Sequence, residues 1–427
     1  MQVGTRLLLI AGKGPASDMA TICLATLNYA PEPIGIGPYS QGWAEALAAR
    51  GHEVHVVCGV PFYPQWQPYL GYTSDFGWSE EAGVRVLRVP HYIPANPGGI
   101  RRLAHQASFA RNLGKGLGMA ARKGRPDAVV AIAPALLAAP TVARHADAHG
   151  AVSWLHVQDF EVAAALATGL LPQWLGKPGG AFERQAMRRF AYASSIAPKM
   201  VQRLADVRGT DRNLHELRNW AEPEVGRETA QGLQMRQKLG LPQGTLALYS
   251  GNLARKQGVG IILDAAKAMQ GPADLHFVVC GEGPAAGDVE QAAKAFPNLH
   301  FRPLQPRAEL PDLLGMADMH LLPQIAGAAD LVLPSKLANM LASGRPVVAT
   351  ADPGTSLAAE VDGCGRVVPA GDVAAFVRAI GELHASSAER SALGQAARER
   401  AQARWEKSSL VNRFAEALER AIAERRL

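Results

Sequence analysis

The sequence predicts an α/β chain built as two doubly wound parallel-sheet domains. Three observations carry this. Short, wholly apolar, β-rich runs alternate with helical patterns along nearly the whole chain. The runs fall into two series with a polar break between them. With 427 residues the chain is long enough for two or three domains at ~100–200 residues each.

The first series is Ile22–Leu27, Val54–Cys58, Val84–Val89, Ala128–Ala133, Val152–Val157 and Ser194–Ala197. The second is Leu246–Ser250, His276–Cys280, Leu299–Arg302, Met319–Leu322 and Val347–Thr350. Helical patterns lie between them at Tyr39–Arg50, Arg101–Lys123, Lys256–Met269, Ser335–Ser343 and Val373–His384. The break falls at Asn219–Gly244, where polar, Gly- and Pro-bearing stretches flank one short helix. The expected organisation is a loose extension over 1–20, a first domain over 21–220, a linker over 221–243, a second domain over 244–403 and a terminal helix over 404–427. For residues 1–18 the alternative is a short first strand at Leu7–Ile10.

Composition excludes several classes. Apolar residues make up 48% and charged residues 19%, which is globular and not disordered. The net charge of +6 is mild for this length and does not point to nucleic acid, for which no recognised motif is present. The four cysteines (Cys23, Cys58, Cys280, Cys364) are widely spaced, so a zinc site or disulfide framework is not expected. No apolar run reaches the ~18–20 residues of a spanning helix. The positive charge belongs to the first half: residues 1–218 hold 22 basic and 15 acidic side chains, and the rest hold 22 and 23.

In open parallel sheets ligands bind where strands lead into helix N-termini, and free N–H groups there suit phosphate. The first such loop is NYAPEPIGIGP (28–38), in which Gly35 and Gly37 permit close backbone approach. It is neither a GxGxxG nor a Walker loop. The second is SGNLARKQG (250–258), where Gly251 frees the backbone and Arg255 and Lys256 add two cations suited to a diphosphate. The third is CGEGP (280–284). The fourth, LLPQIAGAADLVLPSK, ends with Ser335 placed to cap a helix and Lys336 in its first turn. A lysine there opposes the helix dipole unless an anion is bound.

Taken in order, SGNLARKQG, CGEGP, PNLHFRPLQPRAELPDLLGMADMHLLP and PSKLANMLASGRPVVAT resemble the nucleotide-sugar half of family 4 glycosyltransferases. In the first half, YAPEPIGIGPYSQGWAEALAARGHEVHVV, PFYPQW, LHVQDFEV and LRNWAE resemble the same family, closest to its colanic-acid and exopolysaccharide members. The resemblance covers roughly residues 21–425. It implies the GT-B fold, two Rossmann-like domains facing a cleft, with donor on the second domain, acceptor on the first and retention of anomeric configuration. It implies donor diphosphate contacts at Gly35, Gly37, Arg255, Lys256, Ser335 and Lys336. Nucleotide contacts follow at Gly251, Asn252, Gly281, Gly283, Leu304, Gln305 and Asn339. It implies no cofactor and no metal, and the sequence has no D-x-D pair. Three positions depart from the family pattern: Gln257 replaces the usual lysine, Asn339 a glutamate, and Gln158 the histidine before Asp159. His156 and Asp159 are both retained as catalytic candidates, since His156 and Gln158 face one side of a strand. A satisfied core histidine is the other reading of His156.

Residues 82–126 carry nine Lys/Arg and no acidic residue, just after Phe62–Trp78 with seven of the 26 aromatics. Trp66, Tyr69, Arg101, Arg102 and Arg111 therefore mark an expected acceptor and membrane surface that leans on anionic lipid. A solvated helix beside a folded-in loop is the alternative. The expected function is retaining transfer from a UDP- or GDP-sugar to a lipid-diphosphate-linked saccharide or oligosaccharide in exopolysaccharide or O-antigen assembly. The expected place is the cytoplasm, peripheral on the inner face of the cytoplasmic membrane. A sugar-nucleotide epimerase on the same fold and a non-catalytic nucleotide-sugar or membrane scaffold are the competing readings.

Overall fold

A computed structural model describes residues 19–33, 35–167, 172–226, 232–253, 257–325 and 333–427. Residues 1–18, with both readings of the N-terminus, lie outside the described residues, as do Arg255 and Lys256.

The first sheet contains β1 (Thr21–Thr26), β2 (Glu53–Gly59), β3 (Gly77–Glu81), β4 (Val84–Val89), β5 (Ala128–Ala133), β6 (Val152–Val157), β7 (Tyr192–Ser195) and β8 (Leu214–Glu216), ordered β3-β4-β2-β1-β5-β6-β7-β8. Only the β3–β4 pair is antiparallel. The second sheet contains β9 (Thr245–Asn252), β10 (Leu275–Glu282), β11 (Leu299–Arg302), β12 (Met319–Leu322), β13 (Val347–Thr350) and β14 (Gly365–Val368), ordered β11-β10-β9-β12-β13-β14 and wholly parallel. The fold class is the one the alternation predicts.

Burial explains the pattern. β5 and β6 are buried at every position, because helices cover both faces and leave no wet side to encode polar alternation. The helix Gly99–Ala121 lays His105, Phe109, Leu113, Leu117 and Ala120 on the sheet at helical spacing. Gly116 lets it settle there, since a Cβ would come within 2.7 Å of Val57 and Val89.

Three strands escape the sequence pattern, and all are edge or near-edge pieces. β3 is polar and half exposed, β8 has three residues, and β14 begins Gly-Arg. An edge strand needs no continuous apolar run. Within the break, the helix Gly232–Lys238 packs on the second domain: Met235 and Leu241 join its core, and the Arg236 guanidinium donates to the Met316 carbonyl at 2.6 and 2.8 Å.

The chain order places two switch points, between β1 and β5 and between β9 and β12, where successive connections run in opposite directions. The terminal helix Lys407–Arg426 returns to the first domain, burying Leu410, Phe414 and Leu418 in one cluster with Trp43 and Leu47. The domains also meet at a buried ion cluster. Glu360 of the second domain accepts from Arg218 and from Arg404, each at 2.6 Å, and the Arg218 guanidinium lies 5.1 Å from the Trp405 ring centre.

Candidate active site

Two cavities open at the carboxyl ends of the two sheets. The first, of about 290 Å³, lies mostly on the first domain, with Leu333 and Ser335 of the second at its edge. Its floor comes from the loops after β1, β5 and β6, and one wall is aromatic (Phe62, Tyr63, Trp66). The second, of about 600 Å³, lies between the domains against β9, β10 and the helix Lys336–Ala342. Gly35, Tyr39 and Ser335 line both cavities, so the two spaces meet there.

In the second cavity Lys336 dominates. Its ammonium stands 4.0 Å from the centre of the Tyr249 ring, a cation–π contact. Among the described residues it has no carboxylate partner, and burial pushes its pKa down to about 7. A half-buried lysine without a counter-ion, facing a cavity, is suited to receive an anion. Gly251, at φ +129°, holds the backbone where a Cβ would come 3.8 Å from that ammonium. Leu304, Gln305 and Asn339 line the same space. Asn339 accepts from the Glu222 backbone N–H at 2.7 Å and so ties the helix to the segment leaving the first domain. Arg307 donates to the Pro33 carbonyl and pairs with Glu222 across the cleft.

Several sequence-stated residues sit elsewhere, for steric reasons. A Cβ on Gly281 would lie 1.9 Å from the Gly251 carbonyl oxygen, so this glycine serves strand packing. Gly283, at φ +143°, closes the turn against Asn252 and Leu253, and neither it nor Asn252 is among the described residues that line these two cavities. Gly37 is needed against Glu32, whose carbonyl a Cβ would approach to 3.0 Å. Ser335 does not cap its helix: its backbone is helical and its side chain makes no cap hydrogen bond. Its hydroxyl therefore remains exposed at the cavity junction.

In the first cavity Asp159 and Gln158 lie on the wall, but His156 does not. The His156 ring is enclosed, with Nδ1 2.8 Å from the Ser194 hydroxyl, Nε2 2.9 Å from the Gln158 amide and Trp43 edge-on at 4.5 Å. Burial pushes its pKa down to about 3, so it stays neutral. The strand does point His156 and Gln158 to one side, yet only Gln158 reaches past the strand end. Of the two retained candidates, Asp159 alone lines this cavity. Gln158 in turn exchanges two amide hydrogen bonds with Asn219, at 2.7 and 2.8 Å.

Two buried carboxylates shape this cavity. Glu32 accepts from the Phe62 and Tyr63 N–H groups at 2.9 Å and from Asn28 at 2.8 Å. Glu161 accepts from the Ala135 and Leu136 N–H groups at 2.7 Å and from Gln106 at 2.8 Å. Burial raises both pKa values against these donors.

The basic surface divides. Arg102 lines the first cavity with its guanidinium 5.6 Å from the Trp66 ring centre. Arg101 and Arg111 are exposed on the same helix, which also exposes Ile100 and Leu103 in its first turns. Tyr69 is not in the cavity, since its hydroxyl donates to the Tyr63 carbonyl at 2.7 Å. Sequence reasoning passed over Tyr39, His105, Gln106, Asn219 and Arg307. Tyr39 and Asn219 carried a signal, being next to the glycine loop and inside LRNW.

Comparison with known proteins decides the family. Residues 35–220 match the model of the glycosyl transferase 4-like domain, and residues 244–386 match that of glycosyl transferases group 1. The colanic acid biosynthesis glycosyl transferase WcaI of Escherichia coli (strain K12) is 38% identical over 342 residues, 78% of this chain and 83% of the relative. The chain belongs to the family 4 glycosyltransferases.

Solved structures agree on the GT-B fold of this glycosyltransferase. Sucrose-phosphate synthase from Thermosynechococcus elongatus superposes with TM-score 0.74 at 15% identity, over 95% of this chain and all of that one. WaaG, a glycosyltransferase involved in lipopolysaccharide biosynthesis, gives 0.66 at 19%, over 92% and 98%. Anabaena HepE in complex with UDP and glucose gives 0.66 at 15%, over 93% and 99%.

Proposed function

We propose that this glycosyltransferase moves a hexose from a UDP- or GDP-sugar, with retention and without a metal, to a lipid-diphosphate-linked saccharide in exopolysaccharide assembly. The observation that carries the reading is the meeting of the two cavities at Gly35, Tyr39 and Ser335. On one side stands Lys336, a half-buried lysine with no carboxylate partner among the described residues. On the other stands Asp159, a carboxylate beside an aromatic wall. A donor lying across the junction puts its diphosphate against Lys336 and its sugar toward Asp159.

The chemistry follows from these groups. Departure of a nucleoside diphosphate needs its developing charge stabilised, and a preorganised cation does this in a space shielded from water. The sugar passes through an oxocarbenium-like state. Asp159 orients the acceptor hydroxyl and assists loss of its proton. Gln305 and Leu304 border the base end. WcaI by its name acts in colanic acid biosynthesis, and HepE is solved with UDP. The first supports a polysaccharide product and the second a nucleotide-sugar donor. The exposed Arg101, Arg111, Ile100 and Leu103 form a basic and apolar rim beside the first cavity, suited to a lipid-borne acceptor.

The test is a thermal-shift panel of UDP, GDP and their sugars, with and without EDTA. A ligand that binds only the folded chain raises the melting temperature by mass action. A shift with one base, unchanged by EDTA, and hydrolysis of the matching sugar nucleotide is the expected result. No shift with any of them defeats the reading, and an epimerised product turns it toward an epimerase.

A further inference from the structure

Tyr39 is not used by the site as described so far. It lies in the helix Gly37–Ala49 and lines both cavities, which among the described residues only Gly35 and Ser335 also do. Its ring packs edge-on to Trp220 at 4.9 Å, which fixes where the hydroxyl stands. Among the described residues that hydroxyl has no hydrogen-bond partner. Its charged neighbours are Glu222 and Arg307, which pair with each other. A phenol held by its ring, with a free O–H at the junction of two ligand spaces, is a hydrogen-bond donor waiting for an acceptor oxygen.

We propose that the Tyr39 hydroxyl donates to the diphosphate oxygen that leaves the sugar, opposite Lys336, so that the first domain takes a direct part in departure of the leaving group. This rests on the donor reading above. In the step, the bond from the anomeric carbon to the diphosphate oxygen breaks, and its electron pair stays on that oxygen. The acceptor oxygen bonds the anomeric carbon, and the acceptor proton leaves with the help of Asp159 and ends on the released diphosphate. Tyr39 keeps its own proton throughout. Burial, with Glu222 adding to it and Arg307 opposing, raises the phenol above its ordinary value and keeps it a donor. The hydrogen bond strengthens as charge collects on the oxygen, so its effect belongs in turnover.

The geometry argues against the simplest alternative use. Asp159 lines the first cavity alone, whereas Tyr39 borders the second as well. A residue serving only the acceptor has no reason to face the Lys336 space.

Tyr39→Phe removes the hydroxyl and keeps the ring against Trp220. The wild-type enzyme is first shown to hydrolyse a UDP- or GDP-sugar from the panel and to transfer to a membrane-extracted lipid-linked acceptor fraction. If it does neither, the donor reading fails and the inference fails with it. Given activity, Tyr39→Phe is expected to lower hydrolysis and transfer by the same factor, about 10- to 100-fold in kcat, the size of one hydrogen bond to a charged group. The melting temperature should stay at the wild-type value. A fall in transfer with hydrolysis unchanged overturns the proposal, because Tyr39 then serves the acceptor. Unchanged rates overturn it as well. Equal losses joined to a lowered melting temperature also overturn it, since they mark a packing role.

Discussion

The Lys336 ammonium lies 4.0 Å from the centre of the Tyr249 ring, and among the described residues no carboxylate meets it. Aromatic contact without a counter-ion leaves the desolvation cost largely unrelieved, and the pKa falls from 10.5 to about 7. Between about pH 7 and 10.5 the unfolded chain therefore holds a proton that the folded chain has released. Stability contributed at this site rises with pH across that window and is lowest below it.

A bound diphosphate reverses the sign, because it favours the charged lysine. Above pH 7, UDP or GDP binding should take up close to one proton, and affinity should fall by up to tenfold per pH unit. Calorimetry at pH 8 in buffers of different ionisation enthalpy reads the uptake directly. Lys336→Met should abolish it, weaken nucleotide binding by about 2 kcal/mol and raise the melting temperature of the free protein. Proton uptake unchanged in Lys336→Met would place the titrating group elsewhere.

Asp159 and His156 separate cleanly by experiment. Asp159→Asn should lower transfer by about 10²–10³-fold while leaving nucleotide binding and melting unchanged, the expected size for a positioned acid–base group. His156→Ala should instead destabilise the fold by about 2–4 kcal/mol, because it empties a fully enclosed site and strands the Ser194 and Gln158 partners. Chemical denaturation and steady-state rates on the same preparations decide the pair. A kinetic defect in His156→Ala at full stability would restore His156 as the catalytic group.

Glu360 joins the two domains through Arg218 and Arg404. Removing one member of a buried ion cluster leaves uncompensated charge. Glu360→Ala should cost about 3 kcal/mol, at the low end for such losses, because Arg218 keeps Glu216 and Arg404 is half exposed. Denaturant unfolding checks this, and a change under about 0.5 kcal/mol, the range of surface substitutions, would show that the domains do not depend on it.

The basic rim predicts lipid sensitivity. Each cation near an anionic surface contributes about 1 kcal/mol. Replacing Arg101, Arg102 and Arg111 with glutamine should reduce sedimentation with phosphatidylglycerol vesicles by one to two decades, and salt should weaken the wild-type interaction similarly. Equal binding by both proteins would end the membrane reading.

What the sequence determined by itself was the architecture. Two parallel sheets bury short strands on both faces, so eleven apolar runs stand out against helical patterns. The edge strands β3, β8 and β14 were not legible, because a half-exposed or three-residue strand carries no such run. Loops that border the two cavities were legible too, through Gly35, Gly251 and the Pro-Ser-Lys entry at 334–336. Tertiary structure alone decided what each residue faces. His156 and Gln158 share a strand side, but only Gln158 clears the strand end into the cavity. Gly281 and Gly251 sit side by side at the ends of β10 and β9, yet one is there for a neighbouring carbonyl and the other for open space beside Lys336. Tyr39 became visible only when the two cavities met beside it. Periodicity and loop composition are local properties of a chain. Exposure at a cleft depends on which distant segments close over a side chain, and that is settled only when the domains pack.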